Sequence, residues 1–176
     1  MRMGVSIVAL GLALAVPVAD AQDRPAEQLE SRSETCPWRA AWASAQMLPG
    51  AADALPPGTL TDGTLRQIVR PSIGGDRIRV RFSNVFGKTP LRIGGATLAR
   101  SADNARSDIV PATLRPLRFA GNAGAVIPPG GEWLSDPLDG VFGAFDDLAV
   151  SVHVLADPDG HTSHPGSRAT SYVVRG

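Results

Sequence analysis

Side chains able to do chemistry are few in this sequence, and they are scattered. His161 and His164 stand three apart in the run Asp157-Pro158-Asp159-Gly160-His161-Thr162-Ser163-His164. Two imidazoles could supply part of a metal site, and Asp157 and Asp159 could lend oxygens to a calcium ion. Loops of that composition also occur as plain turns. His153 lies in an alternating apolar run, on the face opposite Val152 and Val154, where solvent or a neighbouring domain suits it better than general-base work. Ser135-Asp136-Pro137 reads as a turn rather than a nucleophile. No Gly-x-Ser-x-Gly elbow or Gly-Asp-Ser-Leu block occurs, so nucleophile, base and oxyanion hole cannot be assembled from this chain. The single cysteine, Cys36, reads as a free thiol, an intermolecular link, or half of a pair. On these grounds we assign no catalytic residue, no cofactor and no metal ligand.

Surface chemistry is more suggestive. Arg77, Arg79 and Arg81 fall on one face of one strand pattern, with Arg66 and Arg70 placed on what reads as its neighbour. Guanidinium forks bind carboxylates, so such a stripe would suit an acidic polysaccharide or a docked domain. It also fits a solvated sheet face paired with acids such as Asp76. Trp133, if exposed, could stack on a sugar ring; burial is the alternative.

These residues must be positioned by strands. Gly63 and Pro71 bracket Thr64–Arg70, and Ser72–Asp76 reads as a turn joining it to an antiparallel partner. That partner, Arg77–Val85, alternates with Ile78, Val80 and Phe82 on one side. Leu91–Ala99 follows, its Gly94-Gly95 pair suggesting a bulge. Shorter segments lie around Ile109–Phe119, Ala125–Ile127 and Glu132–Ser135. Leu148–Val154 alternates again, with Leu148, Val150, Val152 and Val154 inward, and Ala169–Val174 closes the series. Trp38–Met47 is either a short helix, from Trp38, Ala41, Trp42 and Ala45, or an opening strand. Pro49–Asp62 has loop chemistry. Short strands between turn signals describe an all-β, antiparallel β-sandwich or jelly roll. High glycine and proline counts, 19 and 15, agree with many turns.

A short basic start, an apolar run over Gly4–Val18 and Ala19-Asp20-Ala21 read as a signal peptide over residues 1–21. The apolar run is too short to span a bilayer. Residues 22–37 then form a polar leader, and 38–176 a single sandwich domain, secreted or periplasmic. Seventeen basic residues balance 17 acidic ones, which argues against nucleic acid and against an anionic membrane as partner.

Several of these segments recur as an ordered set. Trp42-Ala43-Ser44, Thr64-Leu65-Arg66-Gln67-Ile68-Val69-Arg70 and Arg79-Val80-Arg81-Phe82-Ser83-Asn84-Val85-Phe86-Gly87 come first. Ser135-Asp136-Pro137, Asp147-Leu148-Ala149-Val150-Ser151, His164-Pro165 and Thr170-Ser171-Tyr172 follow. The set resembles the N-terminal β-sandwich region of secreted bacterial SGNH/GDSL hydrolases, esterases acting on acyl or acetyl esters. The resemblance implies an accessory domain whose partner is a C-terminal catalytic domain. That domain would carry a Ser-His-Asp acyl transfer. None of its catalytic blocks matches a position here, so this chain reads as the front fragment of a longer protein. A free-standing carbohydrate-binding module is the alternative, with polysaccharide as partner. On either reading, contacts would fall to Arg66, Arg79, Arg81, Asn84, Trp133 and His164.

Overall fold

A computed structural model describes residues 38–164 and 171–176. The signal-peptide and leader readings over 1–37, Cys36 included, lie outside the described residues, as do 165–170. The body over Ala40–Gly176 is all-β and antiparallel, with no α-helix among the described residues.

Its larger layer is one sheet. β1 (Gly63–Val69) and β4 (Leu91–Arg100) flank β9 (Leu148–Val154). β10 (Ser171–Arg175) adds to the outer edge of β1. The far side of β4 is shared by β6 (Ala125–Ile127) near its start and β5 (Arg115–Pro116) near its end. The second layer is a narrow ribbon. β2 (Gly75–Ile78) pairs with β8 (Leu138–Phe142), and β3 (Arg81–Ser83) pairs with β7 (Glu132–Leu134). The chain crosses from sheet to ribbon after β1 and returns at β4. It crosses again from β6 to β7, and β9 then closes the gap between β1 and β4.

The alternating patterns dictate what meets between the layers. Leu148, Val150 and Val152 on β9, Ile93 and Leu98 on β4, and Val69 on β1 face inward. Ile78, Val80, Phe82, Leu138 and Phe142 of the ribbon pack against them. Phe119 is 1% exposed and meets Phe82 edge-on, with ring centroids 5.5 Å apart at 62°. An edge-to-face pair of this kind contributes about 1 kcal/mol beyond the area it buries.

Three expectations are corrected. Ser72–Asp76 does not join an antiparallel pair: β1 lies in the sheet and β2 in the ribbon. Arg77–Val85 is not one strand either. The ladder breaks at Arg79 and Val80, where Ser135 replaces a backbone partner. Its Oγ accepts from Val80 N at 3.0 Å, while its own N–H donates to the Val80 carbonyl at 2.8 Å. The helical option for Trp38–Met47 fails because neighbouring chain claims the backbone. Ala41 O accepts from Ser72 N, and Met47 exchanges both hydrogen bonds with Ser163. The Gly94-Gly95 bulge is present, as a register shift between Ile93 and Gly95 against β9. β8 carries no clear alternation in Leu138-Asp139-Gly140-Val141-Phe142, and the sequence reading passes over it.

Candidate functional site

The face of the sheet turned away from the ribbon carries most of the polar groups. Cross-strand partners share a face. Thr64 opposes His153 and Arg66 opposes Ser151 between β1 and β9; Gly95 opposes His153 and Thr97 opposes Ser151 between β4 and β9. Thr64, Gly95, Thr97, Ser151 and His153 floor a groove of about 370 Å³, edged by Pro116, Arg118 and Ala123. His153 Nε2 lies 2.9 Å from Asp62 Oδ1 and donates to it. Asp62 holds a left-handed backbone, φ +46°, immediately before β1, and this aims its carboxylate at the ring. Ser151 Oγ accepts from Arg66 Nε at 2.8 Å. The serine is thus engaged by an arginine and the histidine by an aspartate.

Two adjacent glycines shape that floor. A Cβ on Gly94 would stand 2.8 Å from His153 Nδ1 and 2.7 Å from Leu155 Cδ2, so only glycine lets the imidazole lie over the strand. A Cβ on Gly95 would meet nothing within 4 Å, because the groove opens there. The sequence shows a glycine pair and a strand histidine. It does not show that the bulge sets one against the other.

The predicted arginine stripe divides between the layers. Arg77, Arg79 and Arg81 do share the exposed face of the ribbon, where Arg77 pairs with Asp139 and Arg81 with Glu132, each at 3.1 Å. These partners are cross-strand neighbours rather than Asp76, and exposed pairs of this kind contribute little. Arg66 and Arg70 belong to the sheet. Arg66 also donates to the Ser107 carbonyl, tying the 101–108 loop over the sheet's outer face. Arg70 forks onto both oxygens of Asp147 at 2.7 Å. The hydrogen bond from Arg70, with its charge and a bond from Asn104, holds the Asp147 carboxyl below the ordinary carboxylate range against partial burial. Trp133 opposes Phe82, so it projects to the inner side of the ribbon and stands 37% exposed at its margin. Arg81 and Trp133 therefore face opposite ways, and a platform combining the arginines with Trp133 does not form.

Asn84 continues the inward parity of Ile78, Val80 and Phe82 and is 2% exposed. Its Nδ2 donates to the carbonyls of Thr89 and Ile127 at 3.0 Å and Pro128 at 3.2 Å. It is a joint between three chain segments, out of reach of a surface ligand. Gly87 belongs to the same joint, since a Cβ there would fall 1.8 Å from Asn84 Oδ1. Ser135-Asp136 is another. Asp136 accepts from Ala120 N at 2.9 Å and Gly121 N at 2.7 Å, holding a turn whose two central residues have φ of +50° and +81°. His164 donates from Nδ1 to the Ala45 carbonyl, and His161 Nε2 accepts from Leu55 N at 3.5 Å. Asp157 accepts from Gly58 N. The His161–His164 loop is thereby fastened to residues 45–58, and among the described residues no three His, Cys, Asp or Glu side chains converge on a cation site.

Three exposed apolar side chains stand on segments joined at the sandwich end where β1 finishes and β9 begins. Ser72 N donates to the Ala41 carbonyl and Phe145 N to the Pro71 carbonyl, both at 2.8 Å. Trp42, Ile73 and Phe145 emerge from these three joined segments at 49%, 44% and 68% exposure. Phe145 has φ +64°, a strained conformation for a bulky side chain. No protein-family model matches the chain, and no curated protein matches it in sequence. No helix among the described residues is long and apolar enough to cross a membrane.

Proposed function

We propose that this chain is the accessory β-sandwich of a secreted SGNH/GDSL-type ester hydrolase, packing against the catalytic domain through the Trp42–Ile73–Phe145 surface. The observation that carries this is Phe145, which is strained on the backbone and 68% exposed. A left-handed phenylalanine costs about 1–3 kcal/mol, and such strain concentrates at functional contacts. Trp42 and Ile73, also exposed, stand on segments hydrogen-bonded to its own and would extend such a contact. The ordered segments behind the resemblance support the reading from a second side. Asn84 with Gly87, Ser135 with Asp136 and Arg70 with Asp147 all serve as joints of the sandwich, as expected of a domain that supports chemistry carried elsewhere.

Sequencing the coding DNA past the Gly176 codon tests the proposal first. An open frame reaching a Gly-Asp-Ser block, with Asp-x-x-His downstream, supports it; a stop codon at that point overturns it. In the full-length protein, Phe145→Asp should then speed proteolytic cleavage between the two domains, leaving the sandwich intact.

A further inference from the structure

We infer that the groove on the outer face of the sheet binds a small monocarboxylate with an apolar body. This inference stands apart from the accessory-domain proposal, because it concerns a site complete within this chain. The groove, about 370 Å³, is within the size range of small-molecule pockets, and Pro116, Ala123 and the methyl groups of Thr64 and Thr97 give it its carbon. That lining selects an apolar body.

One cation stands in its wall. Among the described residues Arg118 has no hydrogen-bond or ion-pair partner for its guanidinium, although its backbone carbonyl is held by Asp136 N at 2.7 Å. Its neighbours differ: Arg66 and Arg70 are both engaged by protein groups. A guanidinium fixed at its backbone and unpaired at its tip is matched by a carboxylate, whose two oxygens fit its fork. On the floor, Ser151 Oγ accepts from Arg66 and keeps its own proton to donate. His153 is held against Asp62 and lies over Gly94, so the ring borders the site without blocking it. Gly95 is the opening itself. The carboxylate would meet Arg118, and the carbon chain would run over Gly95 toward Pro116 and Ala123.

Hexanoate and 1-hexanol, equal in chain length and differing in charge, are the probes. Each is titrated into the full chain, and the amide shifts of Gly95, Leu117 and Ser151 are followed by NMR. Hexanoate should shift these amides saturably and bind about fivefold more tightly than hexanol, the upper range for an exposed ion pair. Arg118→Gln should reduce hexanoate to the affinity of hexanol. Gly95→Leu should abolish the saturable shifts at unchanged Tm, since its side chain enters open space. Equal affinity of the two probes, or shifts that survive Gly95→Leu in a folded variant, would overturn the inference, as would the absence of saturable shifts.

Discussion

Replacing Asn84 by alanine removes the donor of three backbone carbonyls, those of Thr89, Ile127 and Pro128. Asn84 is 2% exposed and Ile127 fully buried, so at the Ile127 carbonyl nothing replaces the lost N–H, while the Thr89 and Pro128 carbonyls lie nearer the surface. The amide has two N–H hydrogens for these three acceptors, so one is shared, and at about 1–1.5 kcal/mol for each N–H the loss is roughly 2–3 kcal/mol. For a domain of this size that lowers Tm by about 10 °C. Gly87→Ala should do comparable damage by a different route, because the new Cβ would sit 1.8 Å from Oδ1 and 2.6 Å from Cγ of Asn84. Three carbonyls hold that side chain, so it cannot rotate away without losing them. The two effects must therefore be non-additive. Once Asn84 is alanine the obstacle is gone, and Gly87→Ala should cost under about 0.5 kcal/mol. Urea denaturation of the four proteins in this cycle measures the coupling, expected near 2 kcal/mol. Additive losses, or an Asn84→Ala variant within 3 °C of the parent, would refute the joint.

The Arg70–Asp147 pair gives a pH dependence. Because the Asp147 carboxyl is depressed in the folded state, its contribution is full above the ordinary carboxylate value of about 4 and is lost as pH falls through the folded value. Urea midpoints should fall as the pH drops below about 4 in the parent and fall less in Arg70→Gln; parallel profiles would show that the pair contributes nothing. Gly124→Ala should destabilise by about 2 kcal/mol, because its Cβ would lie 2.4 Å from the Ile93 carbonyl oxygen, a backbone atom that cannot step aside. Calorimetry that shows no loss would mean the 123–125 segment shifts freely. Phe119→Ala should cost about 4 kcal/mol from a site 1% exposed, read as a fall in the denaturation midpoint.

Much of the fold is legible because side-chain alternation reports which way a residue faces. Leu148–Val154 shows this in its larger members: Leu148, Val150 and Val152 face the ribbon, while Ser151 and His153 share the other face with the small Ala149. Alternation does not report pairing. Arg77–Val85 keeps its period through the break at Arg79 and Val80, since Ile78, Val80 and Phe82 still point inward while a serine hydroxyl stands in for the ladder. For the same reason the arginines were legible as outward residues and not as residues of two different layers. Asn84 carried an unread signal, an amide at an inward position of an alternating strand. Trp38–Met47 has helical spacing, yet Ser72 and Ser163 take its backbone hydrogen bonds from residues distant in sequence. No local pattern could reveal that.

Backbone strain separates the structural joints from the surfaces proposed for function. Three non-glycine residues among those described have positive φ: Asp62, Ala120 and Phe145. Ala120 has a complete internal explanation, since the Asp136 carboxylate binds both N–H groups at the centre of its turn, and the charge-assisted bonds offset the strain. Asp62 belongs to a type that tolerates this conformation, and its carbonyl accepts from Gly176 N at 2.7 Å; Phe145 is anchored only by its N–H on the Pro71 carbonyl at 2.8 Å, which does not relieve its crowded side chain. Asp62 turns its carboxylate outward to hold His153 beside the groove, and that pair is too exposed to stabilise the fold by much. Phe145 raises its ring into solvent, where it buries little of its own area. The Phe145 arrangement is costly for the isolated domain and becomes favourable once something lies against the exposed ring. The groove and the apolar end of the sandwich are thus separate places, one bordered by the Asp62–His153 pair and the other by a strained phenylalanine. A ligand in the first and a protein domain on the second would repay different residues, so the two can be tested and lost separately.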